Sequence, residues 1–450
     1  MQSLTSSVCD VQVCKRWRQV LPTCASIRLP DSAALSDDVE RALLRQTEWD
    51  RVADLCLQGP ACLPSVLALL GTRLDRLVGL RIGGCSGAWP GMGPCGQKEA
   101  CVNDVGGRHC SSRERGDEKA VLMCALRRCS SLEVLELCAA GLKDPGDALR
   151  LAWAIDGGHC PLGLASIDDA KHASSSQPEK LRLLLPTLQQ TATRSGALRL
   201  KRLQLPNNAL GCRGVVSLAA TLSQQGVLNL LDLSGNGMRV KGAAALAAAL
   251  CAESGSAATL RTLRLRDNDL GPEGMMALAC GLVPLRLLAE LDLSANRLTA
   301  SGATSLAGAL TRCSTLTTLA LNFNFLGEAG SAVLAPVLRA QTKLRNLDLS
   351  FNDMGPAGMR ELVEGLSKAE CLVDANGYIR REPVQVQLER LDFSKNTLGA
   401  QGANELFPLL HRGAASIVHL DLRFNGLGQQ HAAMVKCQIP RADVLVLEEW

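Results

Sequence analysis

Cys85, Cys95, Cys101, His109 and Cys110 are of the residue types that ligate metal ions. Zinc needs about four such ligands converging, usually delivered as two close pairs. Here the gaps are irregular, and His109 and Cys110 are adjacent and hard to aim at one ion, so the reading is a loop with spare thiols and no metal site. Gly91-Met-Gly-Pro-Cys-Gly96 has the outline of a dinucleotide loop. That fingerprint requires a strand directly before it and a helix directly after it, whereas this stretch contains Pro94 and runs into polar sequence. The phosphate-cradling G-x-x-x-x-G-K-S/T loop does not occur. His411, His419 and His431 fall in successive elements with no nucleophile to activate. The expectation is no catalytic residue, no cofactor and no enzyme.

The elements that would position any site come from an aliphatic chain. Of 450 residues, 47% are hydrophobic but only 3% aromatic, so the core must be built from small aliphatic units. A net charge of +4 argues against both a charge-driven disordered chain and a polybasic nucleic-acid binder. No apolar run approaches the roughly 18–20 residues that cross a bilayer, and the first residues lack the apolar core of a secretory signal. The nineteen cysteines are odd in number and scattered, with no C-x-x-C pair, which suggests reduced thiols used as small hydrophobes. Together these predict a cytoplasmic protein, a nuclear one included.

One phrase recurs from about residue 200: L-x-x-L-x-L-x-x-N-x-L-G-x-x-G. It marks Asn208, Asn236, Asn268, Asn296, Asn324, Asn352, Asn396 and Asn425, at spacings of 28, 32, 28, 28, 28, 44 and 29. Each copy has two periods. Leu291 and Leu293 flank polar Asp292, the alternation of a half-buried strand. Gly302, Leu306 and Leu310 follow at intervals of four, as on one face of a helix, and Leu218/Leu222, Leu246/Leu250, Leu278/Leu282 and Leu334/Leu338 repeat the offset. One strand and one helix cannot bury their own apolar faces, so the copies must stack. Strands lie ~4.8 Å apart and packed helices 8–10 Å, which bends the stack with the strands inside. The predicted fold is α/β: a horseshoe solenoid with a parallel concave sheet and convex helices. The asparagines should satisfy backbone groups where the chain leaves each strand, and Gly271, Gly327, Gly355 and Gly399 should hold the turn's unusual angles.

This phrase resembles the leucine-rich repeat of the ribonuclease-inhibitor type, shared with NOD-like receptors, over residues 198–450. Residues 61–197 read as degenerate copies, Leu77–Cys85 and Leu132–Gly146, separated by loop insertions at 86–119 and 156–180. Val444–Trp450 reads as a last strand. Residues 1–60 read as a helical segment, with 37–58 also helical. Within it Val13, Trp17, Val20 and Leu21 share a helical face flanked by Lys15, Arg16 and Arg18, and the stretch resembles the closing helix of an F-box. The F-box resemblance implies a substrate adaptor docking on the linker protein of a cullin-type ubiquitin ligase. An amphipathic cap helix is the alternative. The repeat resemblance also implies a second class of role, a regulator of an enzyme, as in Ran GTPase activators or ribonuclease inhibitor.

In either case, binding of a protein partner is expected on the concave face, with no nucleic acid and no membrane. The residues between the strand leucines should line it: Arg202, Asp232, Arg264, Arg266, Glu290, Asp292, Asn322, Asn346, Asp348, Arg390, Asp392, His419, Asp421 and Arg423. Their mixed signs suit a charged partner, while the recurrent aspartates of the "LDLS" wording are also explained as solvated positions. The spacing of 44 marks a second candidate, an insertion near 368–387. Asn376-Gly377 reads as a hairpin turn there, presenting Tyr378, Arg380 and Arg381.

Overall fold

The computed structural model describes residues 26–29, 54–58 and 77–83, parts of 122–156, and 198–445 with short gaps at 253–255, 368–369, 374–378, 383–387, 414–415 and 441–442. The chain divides into two compact units, one comprising Met1–Leu142 and Leu149–Arg202, the other Lys143–Ala148 and Leu203–Trp450.

In the first unit, β1 (Ser26–Leu29), β2 (Asp54–Gln58), β3 (Gly79–Gly83) and β4 (Val134–Cys138) pair in parallel and in chain order, with Ser26, Asp54, Gly79 and Val134 in one register. Leu80, Ile82, Leu135 and Leu137 alternate into the core, and Arg81 meets Glu136 across the strands at 3.4 Å. The strands at 26–29 and 54–58 correct the helical reading of 1–60. S-I-R-L and D-L-C-L-Q carry period-2 alternation, too short to stand out from the helical spacing around it. The F-box-like residues Val13, Trp17, Val20 and Leu21 lie outside the described residues, as do the cysteines and histidine of the first loop and the Gly91–Gly96 stretch. Helix α1 (Pro145–Asp156) follows the Leu132–Gly146 phrase.

The second unit is regular. Its strands are β5 (Arg202–Gln204), β6 (Leu230–Asp232), β7 (Thr262–Arg264), β8 (Glu290–Asp292), β9 (Thr318–Ala320), β10 (Asn346–Asp348), β13 (Arg390–Asp392), β14 (His419–Asp421) and β15 (Asp443–Leu445). They alternate with α2 (Gly211–Leu222), α3 (Arg239–Leu250), α4 (Gly271–Leu282), α5 (Thr299–Leu310), α6 (Gly327–Ala340), α7 (Gly355–Ser367), α8 (Gly399–Gly413) and α9 (Gln429–Gln438). Each helix packs on the next, and each strand pairs in parallel with the next. Leu231, Leu263, Leu291, Leu319, Leu347, Leu391 and Leu420 form one in-register row of buried side chains. The helical leucines expected at intervals of four are buried as well. Helices approach closely because small residues meet: a Cβ added at Gly365 would stand 2.2 Å from Ala335 Cβ, and one at Gly281 2.6 Å from Ala247 Cα.

The long spacing does not interrupt the stack. β10 pairs directly with β13, Asn346 against Arg390. The extra residues form a separate antiparallel pair, β11 (Glu370–Val373) and β12 (Ile379–Glu382), with Val373 opposite Ile379. Arg380 and Arg381 are on β12, whereas Asn376, Gly377 and Tyr378 lie outside the described residues. Among the described cysteines Cys129 and Cys313 are buried packing units, but Cys251, Cys280 and Cys437 are exposed. Cys280 therefore departs from the reading as a small hydrophobe: the helix's buried face is already filled by Met275, Leu278 and Leu282. Among the described residues, no helix is long and apolar enough to cross a membrane, and no His/Cys/Asp/Glu group could hold a metal ion.

Candidate protein interface

Each turn is built around its asparagine. Asn296 Nδ2 donates to the carbonyls of Leu265, Leu293 and Ser294 at 2.9–3.1 Å. Its Oδ1 accepts the Asn268 N–H at 3.0 Å. The same set recurs at Asn324, Asn352 and Asn396, so each side-chain amide ties its own turn to the preceding copy while the backbone N–H of the same residue donates to the next asparagine. The 44-residue repeat keeps the pattern, with Asn352 N–H donating to Asn396 Oδ1 at 3.0 Å. Between these bonds the backbone passes repeatedly through the left-handed region, at the residues before and after each asparagine and, in every copy but the last, again three after it. Gly271 (φ +63°) and Gly327 (φ +62°) hold that last position without a Cβ penalty.

This frame presents three rows of side chains on the sheet face opposite the buried leucines. The first is Thr262, Glu290, Thr318, Asn346, Arg390 and His419. Asn346 donates to Thr318 Oγ1 at 3.0 Å, and His419 Nδ1 meets Asp443 Oδ2 at 3.2 Å. The middle row is Asp232, Arg264, Asp292, Ala320, Asp348, Asp392 and Asp421. The third, two residues on, holds Ser234, Arg266, Ser294, Asn322, Ser350, Ser394 and Arg423. Arg202, on β5, is exposed.

The aspartates have structural work as well as charge. Oδ1 of Asp232, Asp292, Asp348, Asp392 and Asp421 each accepts the backbone N–H two residues on, at 2.9–3.0 Å. Each carboxylate thereby closes the first bend out of its strand, which is why the type recurs, and Asp232 and Asp421 are buried in doing so. Asn322 is likewise buried, and its Oδ1 has no hydrogen-bond partner.

Compensation of these charges is uneven. Arg264 stands in the row between Asp232 and Asp292 and binds Glu290 Oε1 at 2.7 Å. Arg423 grips Asp421, Nη2 to Oδ2 at 2.6 Å. Asp348 and Asp392 are adjacent and have no ion pair among the described residues. Burial, then the repulsion of Asp392, pushes the Asp348 carboxyl up to about 6 against the hydrogen bonds from Ser350. Burial also raises Asp392 and Asp232, the latter opposed by the Ser234 hydrogen bonds and Arg264.

A further row went unread in the sequence. The residues immediately before the asparagines donate their backbone N–H from turn to turn, Phe323 to Ser350 and Phe351 to Ser394. Their side chains therefore line up just beyond the strands' carboxyl ends: Phe323, Phe351, Lys395 and Phe424. The rings of Phe323 and Phe351 stack with centroids 3.7 Å apart. Lys395 Nζ sits over Phe351 at 4.5 Å and over Phe424 at 4.6 Å. Phe325 follows on the other side of Asn324 and is 64% exposed. All four phenylalanines have φ of 53–59°, a region that costs a residue with a Cβ about 1–2 kcal/mol. Earlier copies put Asn207, Gly235 and Asp267 where Phe323, Phe351 and Phe424 stand, types that tolerate it. The legible signal was F-N-F at 323–325 and F-N at 351–352 and 424–425: four of the chain's six phenylalanines flank a register asparagine.

Comparison with known proteins now bears on the repeat. Residues 227–247, 256–279, 285–307 and 340–363 match the family model described as a leucine-rich repeat. The strand–helix copies of the second unit are leucine-rich repeats stacked as a solenoid. No curated protein matches the chain. Among solved structures, an internalin from Listeria monocytogenes is similar at 11% identity and a TM-score of 0.35, over 96% of this chain and 89% of that one. The structure titled Leiomodin-1 Actin-Binding Site 2 is similar at 15% identity and a TM-score of 0.25, over 37% of this chain and 78% of that one.

Proposed function

We propose that this chain is a non-catalytic protein-binding scaffold whose partner lies across the open strand face of the second unit. The observation that carries the reading is the division of labour in each copy. Leucines fill the core and asparagines and aspartates close the turns, while Arg202, Thr262, Arg264, Arg266, Glu290 and Arg390 contribute to neither and differ from copy to copy. Such residues are free to encode a partner, and their mixed signs favour a charged one by steering and register. The odd, scattered cysteine set supports a cytoplasmic or nuclear setting.

The test is capture from cell extract by wild type, by Arg266→Glu with Arg390→Glu, and by a helix-face control, Val216→Ser with Met276→Ser. The strand-face variant should lose proteins that the control keeps. Equal retention by both variants would place binding elsewhere. A finer proposal, adaptor for a cullin-type ligase, is supported by the F-box-like sequence at 13–21. It is tested by retrieval of the ligase's linker protein with wild type and Trp17→Ala; if neither retrieves it, the adaptor role is gone and the scaffold stands alone.

A further inference from the structure

The aromatic row is a part of the second unit's surface that its own frame does not explain. The turns need only a backbone held at a positive φ, and earlier copies supply it with the small or polar Asn207, Gly235, Asp267 and Ala295. From β9 onward Phe323, Phe351 and Phe424 hold three of these positions at strained backbone angles and Lys395 the fourth, and the exposed parts of the rings gain nothing for the fold where they face water. Phe323 is 39% exposed and Phe424 42%. Contiguous apolar surface of this kind marks a contact with something else.

We propose that the rim formed by Phe323, Phe325, Phe351 and Phe424 docks an extended, arginine-bearing segment of a partner protein, its guanidinium groups on the ring faces and above Asp348 and Asp392. Charge complementarity selects that occupant. The two carboxylates lie three residues back from Phe351 and Lys395 along β10 and β13, without an ion pair among the described residues, and adjacent like charges favour an incoming cation. Lys395 shows the chemistry within the chain itself, since its ammonium already rests between two of the rings. An arginine is the better guest because its planar guanidinium stacks on a ring while donating to a carboxylate. The row repeats at the strand spacing, so a segment laid across β9, β10, β13 and β14 meets Phe323, Phe351 and Phe424, with Lys395 between the last two.

The proposal rests on the scaffold reading and narrows it to one rim and one chemistry. It is tested with three labelled octapeptides alternating glycine with arginine, lysine or glutamate, titrated by fluorescence anisotropy into the full chain. The arginine peptide should bind most tightly and the glutamate peptide least. Phe323→Ser with Phe351→Ser should weaken the arginine peptide about tenfold, the worth of one or two cation–π contacts. Lys395→Ala, which removes the resident cation, should strengthen it several-fold. Circular dichroism and thermal melting of each variant separate a lost site from a lost fold; Lys395→Ala is exposed and carries the test if the serine pair unfolds. Equal binding of the arginine and glutamate peptides, or loss of binding in Lys395→Ala, would overturn the proposal. A captured partner that leaves on Arg266→Glu with Arg390→Glu but stays on the phenylalanine variant would overturn this rim while keeping the scaffold.

Discussion

Within the second unit, the strands from β6 to β8 and those from β9 to β14 share one backbone and carry two different surfaces. In the earlier group Arg264 lies among Asp232, Glu290 and Asp292, and the turn positions are Gly235, Asp267 and Ala295. In the later group Ala320 stands where an arginine would, Asp348 and Asp392 are adjacent with no ion pair among the described residues, and Phe323, Phe351 and Phe424 hold three of the four turns, Lys395 the other. The side-chain amide donors repeat through both, with one break in the earlier group, where Asn268 Oδ1 accepts from Met238 N–H at 3.3 Å and not from Asn236 N–H. The comparison teaches that a repeat's structural positions and its recognition positions are separable, because the frame is held by groups pointing into the turn and the core while neighbouring side chains on the open face are left to vary.

If that separation holds, breaking the ladder should cost the same in either group. Asn236→Ala and Asn396→Ala each strand buried carbonyls and two buried N–H groups, for which about 3 kcal/mol or more is expected. Urea unfolding followed by circular dichroism should give equal losses for the two. A loss confined to one group would mean that the frames differ too.

Much of this frame was legible beforehand. The eight asparagines, the period-2 leucines and the four-residue helical offsets each report a buried group whose environment is the same in every copy, so one sequence contains its own alignment. The strands at 26–29 and 54–58 were not, because single short alternations lack that internal repetition. The surface was half legible. Alternation placed Arg264, Asp348 and Arg390 on the open face, but the hydrogen bonds that Asp348 and Asp392 accept from Ser350 and Ser394 depend on side-chain geometry that periodicity does not encode. The phenylalanine row was missed because its positions lie outside both periods, in a turn where small or polar residues are the usual choice.

The acidic row offers a sharper probe of the two groups. A carboxyl raised to about 6 in the folded state binds its proton more tightly there than in the unfolded chain. Its contribution is therefore full below about pH 4 and is lost as pH rises through about 6. Asp348→Asn keeps an oxygen for the Ser350 N–H and removes the titration. It should be the more stable protein at pH 7 by on the order of 1–2 kcal/mol, after discounting for solvent screening, and equal to wild type near pH 4. Asp232→Asn, made where Arg264 offsets the burial, should flatten the profile less. Chemical denaturation at pH 4, 5, 6 and 7 checks the order, and a larger effect at Asp232 would erase the electrostatic distinction between the groups.

Strain separates the turn rows by about 1 kcal/mol. Phe325 is mostly exposed, holds a φ of 53° and has no ring partner among the described residues. Phe325→Gly should raise the melting temperature, since glycine adopts that angle freely and little burial is given up. Phe323→Gly relieves the same strain but loses the stack on Phe351, worth about 0.5–1.5 kcal/mol, and should come out near neutral. Equal gains in both would mean that the stacked rings contribute nothing to the fold.

The smallest effect tests the earlier group. Arg264 and Glu290 are each partly exposed, so the pair is worth under about 1 kcal/mol and is weakened by salt. Removing the arginine does more than break one pair, because the same guanidinium lies in the row between Asp232 and Asp292. Arg264→Ala should therefore leave stability within about 1 kcal/mol of wild type while leaving Asp232 and Asp292, in β6 and β8, with no arginine between them in the row. The arginine octapeptide should still favour the later group in this variant, because the earlier one has charge without rings. Were Arg264→Ala alone to make the earlier strands an equal site, carboxylates would suffice and the phenylalanines would be incidental.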